Sequence, residues 1–370
     1  MSRTLPAPSC PAPVCTVRRA PAGTLADGRA VEVVELANGA GHRARILTYG
    51  ACLQGFDTPA CDGRFADIVL GHEDVRAYEA HRNFLGATVG RYANRIGGGG
   101  FSLDGVAYRL AGEGGVCLHG GPQAVDRAVW RIADLSGGAS ARLRLEHTSP
   151  DGEGGFPGEL ALAVTYTLDA AGALTIAMTA TTTRPTVISL TNHAYWNLAG
   201  ADLRSGSAMG HELTIAARHY TPLGPDALPT GEIRAVAGTP FDFTAPRRIG
   251  DGLRDGGDAQ IRQARGYDHN FVLDKAAPGT PEWAALLADR QSGRTLAVWT
   301  TAPGLQLYTA NHFGGDLALK GGRLCRMGDG VALEPQAFPD TPNRPEFGSA
   351  RLDPGQTYAH TLVFQPGLLA

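Results

Sequence analysis

The 370-residue chain contains no apolar run long enough to span a bilayer. Its first residues, "MSRTLPAPSCPAPVCTVRRA", are rich in proline and lack the continuous apolar core of a secretory signal. They read as a loose segment over residues 1–20 ahead of one soluble, cytoplasmic domain over residues 21–370. No block of one charge is present: 33 Lys+Arg stand against 36 Asp+Glu, a net charge of -3. That balance argues against nucleic acid and membrane surfaces as partners and points to a small, neutral molecule. The six cysteines, Cys10, Cys15, Cys52, Cys61, Cys117 and Cys325, include no CxxC pair. Free thiols in a reducing compartment are expected, with a Cys10–Cys15 bridge left open. There is no GxSxG elbow, no HExxH pair, no P-loop and no spaced-glycine dinucleotide motif. The run "GGGG" at 97–100 reads as a flexible turn before the strand "FSLDG".

What the chain does have is alternation. In "ELALAVTYTLDAAGALTIAMTATTT", Leu160, Leu162, Val164, Tyr166 and Leu168 alternate with Ala and Thr, and the pattern resumes at Leu174, Ile176 and Met178 after "DAAG". This is a hairpin with one buried face on each strand. Shorter runs of the same kind occur in "AVEVVELANG", "ARLRLEH", "RTLAVWTTAPGLQLYTAN" and "YAHTLVFQP". The 50 glycines and 24 prolines suit the many turns such strands need. Helical candidates are two, "DVRAYEAHR" and "PEWAALLADR". The expected class is all-β, a large antiparallel β-sandwich with few short helices. A barrel or jelly roll fits the same pattern, because the order of strand pairing is not legible here.

Against this apolar background several segments are unusually polar: "GATVGRYANRI" (86–96), "CLHGG" (117–121), "TNHAYWNL" (191–198), "GYDHNFVL" (266–273), "LQLYTAN" (305–311) and "LEPQAFPDTPN" (333–343). Asn94, Arg95, His119, His193, Asp268, Gln306 and Glu334 each sit beside strand-like residues, where an unpaired polar group is costly. Taken singly they have structural explanations, such as an Arg95–Asp268 ion pair and an Asn94–Gln306 amide pair. Taken together they form a set of donors and acceptors suited to a polyhydroxylated ligand, since every sugar hydroxyl does both. Tyr195 and Trp196 add aromatic faces for its C–H groups. His119, His193, His269 and Glu334 could gather a zinc ion, but no short-spaced ligand pair supports this, and neither metal nor cofactor is expected.

The segments "GRYANRI", "LHGG", "SPDGEGGFPG", "TNHAYWNL", "YDHNFVL" and "LEPQAFPDTPN", in that order, resemble the aldose 1-epimerases, also called galactose mutarotases, from about residue 25 onward. The resemblance implies a β-sandwich with a sugar cleft and an isomerase acting on free aldoses of the galactose and glucose class. It puts the catalytic base on Glu334 and the acid on His193, and substrate contacts on Asn94, Arg95, His119, Tyr195, Asp268 and Gln306. On this reading Glu334 is a carboxylate and His193 an imidazolium near neutral pH. Trp196 is either a packing neighbour or a platform. One departure is visible: after "LHGG" the family usually shows Gly-Phe-Asp, where this chain has Ala124-Val125-Asp126. The alternatives are a non-catalytic carbohydrate-binding protein, and a glycosidase built on Asp268 and Glu334. The partner is expected to be a neutral sugar and the assembly a monomer or homodimer.

Overall fold

In the computed structural model, which describes residues 14–277 and 279–369, alternation in sequence becomes alternation of burial. Leu160, Leu162, Val164, Tyr166 and Leu168 of the strand Leu160–Asp169 are buried, and Leu174, Ile176 and Met178 of Leu174–Thr182 meet them from the neighbouring strand. Asp169 closes the turn by accepting the Ala173 N–H at 2.9 Å. Gly172, at φ +88°, supplies the left-handed residue that a β-carbon would strain.

This hairpin belongs to a nine-stranded antiparallel sheet. Its order is Arg131–Ser136, Ser140–Ser149, Leu160–Asp169, Leu174–Thr182, Tyr358–Leu368, Arg294–Thr300, Glu282–Ala288, Glu212–Ile215 and Arg247–Arg248. A five-stranded sheet runs in sequence order from Thr16–Thr24 to Phe65–Asp67. A six-stranded sheet has the order Tyr195–Trp196, Val331–Gln336, Gly304–Tyr308, Asp268–Val272, His219–Thr221 and Arg234–Ala235. One apolar cluster draws on all three: Leu143, Val164 and Leu362 from the first, Val34, Ile46 and Phe56 from the second, Leu305, Leu307 and Leu333 from the third. Each such side chain contributes about 1.5–3 kcal/mol on burial, so this shared interior holds the sheets face to face as a sandwich. Trp196 is part of that interior, fully buried with its ring 4.7 Å from Phe364 of the larger sheet. It is a packing residue and offers no platform to a ligand.

Two expectations are corrected. "DVRAYEAHR" does form a helix, Val75–Ala80, capped by the Asp74 side chain on the Arg76 N–H, but "PEWAALLADR" is the strand Glu282–Ala288. It is paired on both sides, with Glu212–Ile215 and Arg294–Thr300, and a bulge between Trp283 and Ala285 lets Ala284 and Ala285 both face inward. The helix preference of its Ala and Leu residues is a weak bias that two ladders of hydrogen bonds override. The boundary at residue 20 also falls inside a strand. Cys15 bridges to Gly138, and Thr16–Thr24 pairs along Ala30–Ala37. Residues 1–13, including Cys10 and so the Cys10–Cys15 pairing, lie outside the described residues. Among the described residues no helix is long and apolar enough to cross a membrane.

Candidate active site

The six-stranded sheet carries the core on one face and polar residues on the other. Its register sets Asn270 opposite Gln306, Gln306 opposite Glu334, and Asp268 opposite Tyr308. Because successive side chains alternate, Leu305, Leu307 and Leu333 enter the interior while Gln306, Tyr308 and Glu334 face away from it. Gln306 donates to Asp268 Oδ1 at 2.7 Å, and the Arg95 guanidinium lies 3.4 Å from Asp268 Oδ2. The Arg95–Asp268 pair read from sequence is therefore present. The Asn94–Gln306 pair is not: Asn94 turns its side-chain oxygen to the Arg95 N–H at 2.9 Å.

Two further segments close over this face. His193 lies between the short strands Thr191–Asn192 and Tyr195–Trp196, its main chain tied to Ala87 O at 2.8 Å and to Gly86 N at 2.9 Å. His119 and Asn94 hold each other. The His119 N–H donates to Asn94 O at 2.9 Å, and the Asn94 N–H donates to His119 Nδ1 at 3.0 Å. Both residues are in the left-handed region, with φ +49° and +65°. Since Nδ1 accepts, the neutral ring carries its proton on Nε2, and His119 is a fixed donor.

Between these parts is a cavity of about 260 Å³, lined by Asn94, Arg95, His119, His193, Tyr195, Asp268 and Glu334 among others. Seven of the eight residues expected from the sequence line it. Gln306 stands behind, acting through Asp268, with its own Oε1 buried and unpartnered. His193 Nε2 and Glu334 Oε2 face each other at 3.5 Å. Oε2 makes no hydrogen bond, and neither does His193 Nδ1. Unmet buried groups of this kind cost about 1–3 kcal/mol each, and a ligand rich in hydroxyls could satisfy them.

Burial decides the charges. It holds His193 down to about 4 and raises Glu334 well above the ordinary carboxyl range, with the nearby Asp268 adding to the rise and Arg95 opposing it. His119 is lowered well below the usual imidazole value by burial, then by His193 and Arg95. Burial thus disfavours the carboxylate–imidazolium form expected from sequence and favours the uncharged form of each group, because separated charges lack solvation in a buried site. The pair carries the same single proton in either form.

Further residues of the cavity wall, Phe84, Arg82, Tyr308, His312 and Phe313, were not singled out in the sequence. Phe84 stacks on His193 at 5.8 Å and lies 4.6 Å from His119. Arg82, bidentate to buried Asp126 at 2.8 Å, lies 4.8 Å from the Phe84 ring centre. Asp126 belongs to the departing "AVD" run, so its carboxylate still serves the cavity wall. Tyr308 OH and His312 Nδ1, 2.8 Å apart, complete the rim. No short motif marks Phe84 or Arg82.

His119, His193 and Glu334 each offer a ligand atom within 4.8 Å of the others. His269 does not join them. Its Nδ1 accepts from the Asp268 N–H at 3.1 Å and its Nε2 meets Gln260 at 3.1 Å, so it is a satisfied core histidine. The proton fixed on His119 Nε2 makes that ring a poor metal ligand, which requires a free lone pair.

Residues 32–365 match the family described as aldose 1-epimerase. A galactose mutarotase of Sus scrofa is 39% identical over 87% of this chain and 90% of its own length, and that of Homo sapiens is 39% identical with the same coverage. An aldose 1-epimerase of Escherichia coli (strain K12) is 34% identical over 92% of this chain and 96% of its own. Among solved structures, galactose 1-epimerase from Lactobacillus acidophilus NCFM superposes with a TM-score of 0.83 at 31% identity, covering 96% of this chain and 99% of that one.

Proposed function

From the premise that the chain belongs to the aldose 1-epimerase family and interconverts the α and β anomers of a free aldose, we propose that Glu334 and His193 carry the two proton transfers. Anomer exchange requires removal of the O1 proton, protonation of the ring oxygen O5 as the C1–O5 bond breaks, rotation about C1–C2, and closure on the other face of the aldehyde. Two proton-transferring groups on different sides of the C1–O5 unit suffice, without redox chemistry. The observation that carries the assignment is the 3.5 Å approach of two buried side chains that make no hydrogen bond to each other.

Passing the shared proton from Glu334 to His193 converts the uncharged pair that burial favours into carboxylate and imidazolium. Glu334 then takes the O1 proton while His193 gives one to O5, and both steps reverse on closure. Arg95 favours the carboxylate, and His119 Nε2–H is placed to donate to developing negative charge. Asp268, held by Gln306, with Asn94 and Tyr195, orients the hydroxyls.

The names of the relatives support galactose as a substrate, and we infer that glucose is accepted too. A cytoplasmic location and a monomer or homodimer complete the reading, the location supported by the free thiols of Cys52, Cys61, Cys117 and Cys325. Polarimetry of freshly dissolved α-galactose and α-glucose tests it. Faster mutarotation with no net consumption of sugar is expected. Binding without acceleration would show a carbohydrate-binding protein instead.

A further inference from the structure

We propose that Arg91, the first charged residue of "GRYANRI", is a positioning residue for the catalytic centre, and that the loop "SPDGEGGFPG" serves as its receptacle. The inference rests on the assignment of Asn94, Arg95 and His119 to the sugar site. Arg91 is 2% exposed and does not line the cavity. A guanidinium has five N–H donors, and here all five are used on one loop. Nε donates to Ser149 Oγ at 2.8 Å, and Nη1 to the carbonyls of Pro157 at 3.2 Å and Gly158 at 2.7 Å. Nη2 donates to those of Ser149 at 2.9 Å and Pro150 at 2.6 Å. No carboxylate touches the guanidinium among the described residues. Its nearest counter-charge acts through Ser149, whose hydroxyl donates to Glu153. A buried cation held only by neutral oxygens is an expensive way to secure a loop, and its return is geometric definition.

The loop passes that definition to the site through close main-chain contacts. Gly154, at φ +62°, sits where a β-carbon would come within 2.8 Å of Gly120 O. Gly120, which follows His119, sits where a β-carbon would lie 2.1 Å from Gly90 O and 2.7 Å from Arg91 N. The Asn94–His119 pair of hydrogen bonds then closes the circuit back to the segment on which Arg91 lies. Loosening the loop therefore releases Gly120, and with it the orientation of His119.

Three variants test this: Arg91→Lys, which keeps the charge and loses the fork; Ser149→Ala; and Gly154→Ala, whose new methyl presses on Gly120. Each is assayed as the full chain at a temperature where circular dichroism shows it folded, beside Glu334→Gln as the control on the site reading. Each is expected to lower kcat about tenfold or more, with a smaller change in KM, because misplacement by about 1 Å costs up to about 10²-fold. The ring ¹⁵N signals of His119 should lose the signature of an accepting Nδ1. If Arg91→Lys fails to fold, the other two decide. Folded variants with wild-type kcat, KM and His119 signals overturn the proposal, while an active Glu334→Gln overturns the site reading instead.

Discussion

His193 Nε2 stands 3.5 Å from Glu334 Oε2, with the two side chains only 5% and 2% exposed. That separation leaves each atom free for a substrate oxygen, and the substitution of either should separate turnover from binding. Glu334→Gln keeps the shape but cannot accept the O1 proton, so kcat should fall by about 10²–10⁴-fold, the usual worth of general acid–base catalysis. Sugar binding, followed by calorimetry, should persist. His193→Asn should behave alike. A change confined to KM would mark His193 as a binding residue.

The pH profile of kcat/KM should be a bell, because the pair works with one proton. Adding a second gives carboxylic acid and imidazolium, and removing the first gives carboxylate and neutral imidazole, neither of which can both take and give a proton. The limbs belong to the pair. Glu334→Gln should flatten one limb of the residual rate and His193→Asn the other. A rate that climbs steadily with pH, like the hydroxide-catalysed background, would end the acid–base assignment.

Buried histidines should make the fold acid-labile. His72, His193, His269 and His360 are held to about 4 by burial, against 6.5 for a free imidazole. Between those values the unfolded chain binds more protons than the folded one. The stability these rings contribute is therefore present above 6.5 and lost as pH falls toward 4. Glu334 and Asp329 act with opposite sign, since their raised values favour the folded state at low pH, but burial also lowers His42, His119 and His147, which adds to the acid lability. Tm should drop between pH 7 and 5, and His269→Gln, outside the cavity, should lessen that slope. A flat Tm over this range would contradict the burial argument.

Trp196→Phe should leave KM unchanged. The indole packs on Phe364 and its Nε1 has no partner, so the cost belongs to stability, about 1–3 kcal/mol by denaturant titration. A raised KM with unaltered stability would return Trp196 to the sugar site.

Exhaustive chelation should leave mutarotation unaffected, since proton transfer at a hemiacetal needs no Lewis acid and His119 presents a proton rather than a lone pair. Loss of rate restored by zinc would show that His119, His193 and Glu334 hold an ion.

The sandwich was legible where burial is one-sided. Leu160 to Leu168 alternate because one face meets the core, and period two follows from that geometry alone. Glu282–Ala288 was misread because a bulge breaks the period and its composition is that of a helix. The helix Ala259–Ala264, with the Asp258 cap on Gln260 and Ile261, was missed because Gly256, Gly257 and Gly266 on either side read as turns. At the site, motif order marked the residues that face the cavity. It could not give the protonation of Glu334 and His193, which depends on how deeply they lie, nor Phe84, whose role arises from neighbours distant in sequence.

The strand Tyr358–Leu368, eleven residues at the far end of the chain, lies in the middle of the nine-stranded sheet, between Leu174–Thr182 and Arg294–Thr300. Until that strand inserts, the two halves of the sheet face each other as open edges with hydrogen-bonding groups unpaired. Folding of this sheet is accordingly governed by long-range closure, slow relative to its local hairpins, and most exposed to aggregation just before completion.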